Sequence, residues 1–244
     1  MRWCTGILLI LLIVLSTITA RGQSKNSAVI SYSFWHEINP SKTNGFKLPQ
    51  LVTSDNDWHW RLYLRDGVVC YTIQVFKSAD SIYSASIDLY TEEYTEELGE
   101  KPTYRVFGET AHLKPQKAAE IYTLIQLRQV NEIPTGNDIN GWHTGFDGET
   151  YIIEFATGRS YSSKSYWSPD AIKNVKEAVI INNFIEEVSN IVDMKQLRDF
   201  FSIHIPFESF YNHGSMIGSK ELTVQQKKKY RKERDTYQKK SHLD

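Results

Sequence analysis

Apolar and polar residues alternate from Trp58 onward. Trp58, Trp60, Leu62 and Leu64 fall on one side of an extended chain, and His59, Arg61, Tyr63 and Arg65 on the other. Asp66-Gly67 supplies a turn, Val69 to Phe76 runs back, Ser78-Ala79-Asp80 turns again, and Ile82 to Tyr90 runs out. The pattern predicts a three-stranded antiparallel meander with one wet face. A second period-2 stretch follows Asp147-Gly148, the pair that enters a tight turn at little steric cost. There Tyr151, Ile153 and Phe155 oppose Ile152, Glu154 and Ala156. Thr157-Gly158 turns the chain into Tyr161 to Tyr166.

Two stretches switch to helical spacing. Pro115 opens the first, with an apolar stripe of Ala118, Ile121, Tyr122, Leu124, Ile125 and Leu127. The second runs from Ala171 to about Val192 and places Val175, Val179, Ile180, Phe184, Ile185, Val188 and Ile191 inward. Ser168 reads as its N-cap, with Pro169 at the first helical position.

The remaining segments fill in around these. Val29 to Trp35 is an apolar island suited to an edge strand, and Tyr104 to Phe107 to a further strand. Glu92 to Glu100, with its glutamates, reads as a solvated connection or short helix. Ile133 to Asn140 reads as a loop. Asp193 is placed to cap a short helix to Phe201, with Ser202 to Ile205 as a last strand. The fold class is α+β: antiparallel β-meanders packed against two long helices, with a basic C-terminal tail. Asp66-Gly67 and Asp147-Gly148 stand at matching places in two meander–helix units, which raises an internal duplication as an option.

The N-terminus changes the picture of location. Arg2, the aliphatic run Ile7 to Leu15 and Ala20-Arg21-Gly22 together form a signal-peptide pattern over residues 1–22. The expectation is an exported protein, periplasmic or extracellular after cleavage, with an N-terminal membrane anchor as the alternative. Cys4 precedes the apolar run, so a lipoprotein does not fit. Cys70 alone remains after cleavage, so no internal disulfide forms, and its strand-like setting predicts a buried, inert thiol.

Charge divides the rest of the chain. Residues 219–244 carry nine Lys or Arg against four Asp or Glu, whereas residues 23–218 are net acidic. The expected organisation is a single α+β domain over 23–218 and a mobile basic tail over 219–244, in weak contact with an anionic membrane surface. The acidic body, and a Lys227-Lys228-Lys229 run without interleaved aromatics, exclude a nucleic-acid protein.

The chemical constellations are sparse. His36-Glu37 lacks the second His of a zincin, and no His or Cys spacing suits a metal. Gly214 to Lys220 is one residue short of a phosphate loop and reads as a surface turn. Ser215 lacks the flanking glycines of a nucleophile elbow. No cofactor motif is present. The catalytic candidates are His143, Asp147 and Glu154 around the second hairpin. Burial of Glu154 beside Ile152 and Ala156 would raise its pKa and suit proton transfer. The simpler reading pairs Glu154 with Arg159 or Lys164 across the strand, leaves Asp147 to the turn, and puts His143 at a rim or in a core hydrogen bond. The ligand-binding candidates are Trp58, Trp60, Trp142 and Tyr161. Because Trp58 and Trp60 share a face with Leu62 and Leu64, core packing is their simpler role.

The spacing D-G-x-x-Y-x-x-E, then G-x-x-Y, then Y-W-S-P resembles a hairpin of uncharacterised exported bacterial proteins, in which Trp often stands where Tyr151 stands here. The resemblance covers about thirty residues, implies the shape of this stretch, and carries no activity. The expected function is that of a non-catalytic binding or structural module of the cell envelope, with an envelope protein or glycan as partner. The alternative is a hydrolase of an envelope or extracellular polymer that uses Glu154 and His143 as acid and base.

Overall fold

The computed structural model describes residues 29–31, 58–78, 80–94, 105–145, 148–157, 160–211 and 216–241, the first three and the last five by backbone alone. The architecture is α+β. Its strands are β1 (Val29–Ser31), β2 (Trp58–Asp66), β3 (Val69–Lys77), β4 (Tyr83–Glu93), β5 (Arg105–His112), β6 (Thr150–Thr157), β7 (Ser160–Trp167), β8 (Ser209–Tyr211) and β9 (Ile217–Ser219). They form one antiparallel sheet in the order β1-β5-β4-β3-β2-β6-β7, with β8 added to the end of β4 and β9 to β8. The helices are α1 (Pro115–Arg128), α2 (Lys176–Val192), α3 (Met194–His204) and α4 (Val224–Ser241), so the described chain has four helices where two long ones were expected. None of them is long and apolar enough to cross a membrane.

The alternation in β2 does what its period demands. Trp58, Trp60, Leu62 and Leu64 enter the main core with Tyr71, Ile73 and Val75 of β3 and Ile153 of β6. Helix α1 lies against β3 and β4 and against α2. It buries Ala118, Ile121, Leu124 and Ile125, while Leu127 at the edge of the expected stripe is 72 % exposed. In α2 the buried set is Ala178, Ile181, Phe184, Ile185, Val188 and Val192, so the inward stripe is centred differently from the expected one and Val179 faces solvent.

The first meander turns through Gly67 and Val68, between the paired Asp66 and Val69, with Gly67 at φ +61°. A two-residue hairpin loop with left-handed backbone needs glycine at such a position. Gly148 differs. There a β-carbon would meet Ser168 Oγ at 2.3 Å and the Trp167 ring at 2.6 Å. Gly148 is therefore a packing glycine, whereas at Gly67 an added β-carbon would meet nothing within 4 Å. Asp147 lies outside the described residues.

Ser168 and Pro169 also depart from expectation. Ser168 is left-handed at φ 36°, and its hydroxyl accepts from the Glu149 N–H at 3.0 Å. Pro169–Ala171 makes only a 3-10 turn, and α2 begins at Lys176. The delay has a packing cause: Ile172 and Val175 are buried with Ala178 against Ile139, Trp142 and Trp167. Tertiary burial overrides the local cap signal. Asp193 caps α3 as expected, accepting from the Gln196 N–H, and that helix continues to His204, so Ser202 to Ile205 is not a strand.

The second face of the sheet is buried over its centre. His59, Arg61, Tyr63, Thr72 and Glu154 are all buried on it, as is Cys70, whose thiol burial pushes up to about 12. Glu92 and Glu93, expected in a solvated connection, end β4 and are buried. Glu93 takes both hydrogen bonds of Arg105, at 2.5 and 2.9 Å. Nor is the C-terminal segment a mobile tail. Leu222 and Tyr230 join the main core, and the Tyr230 hydroxyl donates to Glu93. Val224 stays exposed.

Candidate ligand-binding cleft and the polar row beside it

The β6–β7 hairpin pairs Thr150 with Trp167, Ile152 with Ser165, Glu154 with Ser163, and Ala156 with Tyr161, all on the second face. At the Trp167 end this face meets the loop after α1. The loop runs along the outer edge of β7. Thr135 Oγ1 both donates to the Ser165 carbonyl and accepts its N–H, at 3.1 Å each, and the Tyr166 hydroxyl donates to the Ile133 carbonyl at 3.2 Å. These bonds occupy an edge that would otherwise invite another strand.

Between loop and hairpin lies a cleft of about 190 Å³, lined by Gly136, Asn137, Trp142, Thr144, Thr150, Ile152, Ser165 and Trp167. Its two indoles are held from several sides. Trp142 Nε1 donates to the Trp167 carbonyl at 3.1 Å, and its ring stands 5.5 Å from that of Tyr166. A β-carbon at Gly136 would come within 3.0 Å of Trp142 Nε1, and one at Gly145 within 2.7 Å of the Trp167 ring. Glycine at 136, 145 and 148 is thus what lets two large rings sit against the backbone. Behind them the Ile172, Val175 and Ala178 cluster closes the packing.

Two residues further along β6, Glu154 belongs to a row of polar groups buried at its centre. Its Oε2 accepts from Arg61 Nη1 at 3.2 Å and from the Tyr63 hydroxyl at 2.6 Å, and its Oε1 accepts from the Tyr161 hydroxyl at 2.7 Å. Arg61 also donates to Gln74 Oε1 at 2.9 and 3.1 Å. Gln74 donates to Asp88 at 2.9 Å, and the Thr110 hydroxyl to Asp88 at 2.6 Å. The row crosses six adjacent strands from β7 to β5. Antiparallel register sets Arg61 directly between Gln74 and Glu154, so one face parity suffices to connect them.

Titration follows burial in this row. Burial, helped by the bond to Glu154, holds the Tyr161 hydroxyl up to about 12. Burial and the neighbouring Arg61 charge lower His59 to about 3, so its imidazole is neutral at ordinary pH. Its ring lies tilted against that of Phe76, with centroids 3.8 Å apart.

The structure separates the sequence-derived candidates. Trp58 and Trp60 are core residues: Trp58 packs edge-on against Tyr122 at 4.8 Å and Trp60 against Phe184 at 5.6 Å. Trp142 lines the cleft, and Tyr161 belongs to the polar row instead. Glu154 pairs with Arg61 rather than Lys164, which faces the other way and reaches the Asn131 carbonyl. Arg159 lies outside the described residues. His143 is exposed, its ring 6.2 Å from Trp167, at the register of Thr150. Four strand residues, or about 13 Å, separate that register from Glu154.

Asn137, Thr144, Thr150 and Trp167 were missed as cleft residues. The available signal was the run of glycines at 136, 145 and 148 around two tryptophans. Among the described residues no group of three His, Cys, Asp or Glu side chains is placed to hold a metal ion. No protein-family model matches the chain, and no curated protein is similar to it.

Proposed function

We propose that this chain is an exported, non-catalytic binding module whose ligand site is the cleft between Trp142 and Trp167. The observation that carries the reading is the immobilisation of two indoles beside small uncharged polar groups in one concavity. A site whose side chains are already fixed loses little further entropy when a ligand arrives. Few, convergent polar groups on an aromatic wall are the usual makeup of small-ligand pockets. Export is supported by the leader pattern of residues 1–22.

A hydrolase using Glu154 and His143 has less support. Both Glu154 oxygens are engaged by Arg61, Tyr63 and Tyr161, and His143 stands at the rim of a different part of the face. General acid–base pairs need both groups within reach of one reacting atom.

Intrinsic tryptophan fluorescence of the wild type and of Trp167→Phe tests the proposal. The probes are neutral sugars, acidic sugars and short peptides from envelope polymers. A saturable change in the wild type that is weakened in the variant is the expected result. A silent panel, or a response that Trp167→Phe leaves untouched, would remove the cleft from consideration. Mass spectrometry of the protein recovered from its host should find Gln23 or Arg21 first; an intact N-terminus in the membrane fraction would contradict cleavage.

A further inference from the structure

We infer that the cleft takes the face of a single neutral sugar ring, an assignment that rests on the binding reading above and narrows it to one ligand class. The first argument is charge. None of the lining side chains is ionisable, and Asn137, Thr144 and Thr150 offer only amide and hydroxyl groups. Of the cations on the hairpin and its neighbour β2, Lys164 faces the other way and bonds the Asn131 carbonyl, and Arg61 is tied to Glu154 and Gln74. A carboxylate or phosphate ligand would lose hydration without gaining a counter-charge from the lining itself.

The second argument is shape. At about 190 Å³ the cleft is below the 300–1,000 Å³ range of drug-sized pockets, so it suits one ring rather than a chain of them. A pyranose presents a flat face of C–H groups and a rim of hydroxyls. The indole of Trp167 meets the former, and the amide and hydroxyls of Asn137, Thr144 and Thr150 meet the latter. A wholly apolar ligand would leave those polar groups dry and unsatisfied.

The third argument excludes an extended peptide. Strand addition needs free backbone groups on a sheet edge. On β7 beside the cleft, the Ser165 N–H and carbonyl are both taken by Thr135 Oγ1.

The test is ligand-observed NMR titration of the full chain with three probes: a methyl hexopyranoside, its uronic acid counterpart, and N-acetylalanine amide. The neutral glycoside should bind, with the uronide at least about tenfold weaker, a difference of about 1.4 kcal/mol. Asn137→Ala and Thr150→Val, which leave the indoles in place, should each weaken the glycoside by about threefold or more. Circular dichroism of both variants confirms that they are folded. Uronide or amide binding as tight as the glycoside overturns the ligand class while keeping the cleft as a binding site. No binding by any of the three overturns it as well, and the broader binding reading then falls only if the fluorescence panel is also silent. Glycoside binding that neither variant weakens would place the sugar elsewhere.

Discussion

Two buried arginine–glutamate pairs stand on this sheet and are built differently. Arg105 and Glu93 form a two-point contact at 2.5 and 2.9 Å, each side chain 2 % exposed. The Arg105 guanidinium lies 5.1 Å from the rings of both Phe207 and Tyr230, and Tyr230 donates to Glu93. The aromatic walls come from the segment after α3 and from α4, so this pair ties the C-terminal part of the chain to β4 and β5. Arg61 and Glu154 meet through one contact at 3.2 Å, and two tyrosines and a glutamine share the load. Their row ends at Tyr161, which is only partly buried. One pair is a dry clamp; the other is a segment of a polar row that runs toward the surface beside the cleft. The same two residue types thus serve different ends according to how completely neighbours enclose them.

The comparison predicts an order of costs. Glu93→Gln leaves Arg105 charged and enclosed, and should lower stability by about 3–5 kcal/mol in urea unfolding. A smaller loss than that of Glu154→Gln would invert the distinction. Glu154→Gln keeps one acceptor for the tyrosines and should cost about 1–3 kcal/mol.

Acid should act on the second region through His59. Its pKa is about 3 in the folded chain against 6.5 when unfolded, so between these values the unfolded chain binds the extra proton. Stability from this group is therefore full above pH 6.5 and declines as pH falls toward 3, by at most about 1.4 kcal/mol per pH unit. His59→Phe should flatten the pH dependence of the urea midpoint between pH 6.5 and 4.5, and an unchanged slope would show that His59 is hydrated in solution. The smallest effects come from single hydroxyls. Tyr230→Phe should cost about 1 kcal/mol, and Tyr161→Phe, nearer water, a few tenths. Equal losses would mean that the two regions are equally enclosed.

What could be read from the chain was local. Period-2 alternation and Gly67 gave the meander, and helical spacing gave α1 and α2, because each signal lies within a few residues. The core role of Trp58 and Trp60 followed from the leucines on their face. Burial at the centre of the second face was not legible: a polar strand face looks solvated until its partner is known, and Arg61 meets Glu154 from 93 residues away. Glu93 looked solvated for the same reason, since Arg105 and Tyr230 come from other elements. The C-terminal segment was misjudged because few apolar residues suggested no docking, yet Leu222 and Tyr230 suffice to seat it. The late start of α2 depends on Ile172 and Val175 finding the two indoles. The cleft drew on a loop, a 3-10 turn and two strands, and no spacing in one segment could display it.

The central claim is that the tryptophans divide into core and ligand residues, and their indole N–H signals test it most directly. Two-dimensional NMR of the ¹⁵N-labelled chain, assigned by single Trp→Phe variants, is recorded during titration with the methyl hexopyranoside. The account predicts saturable shifts for Trp142 and Trp167 and none for Trp58 and Trp60, which lie in the main core. Movement of Trp58 or Trp60 while Trp142 and Trp167 stay fixed would contradict it.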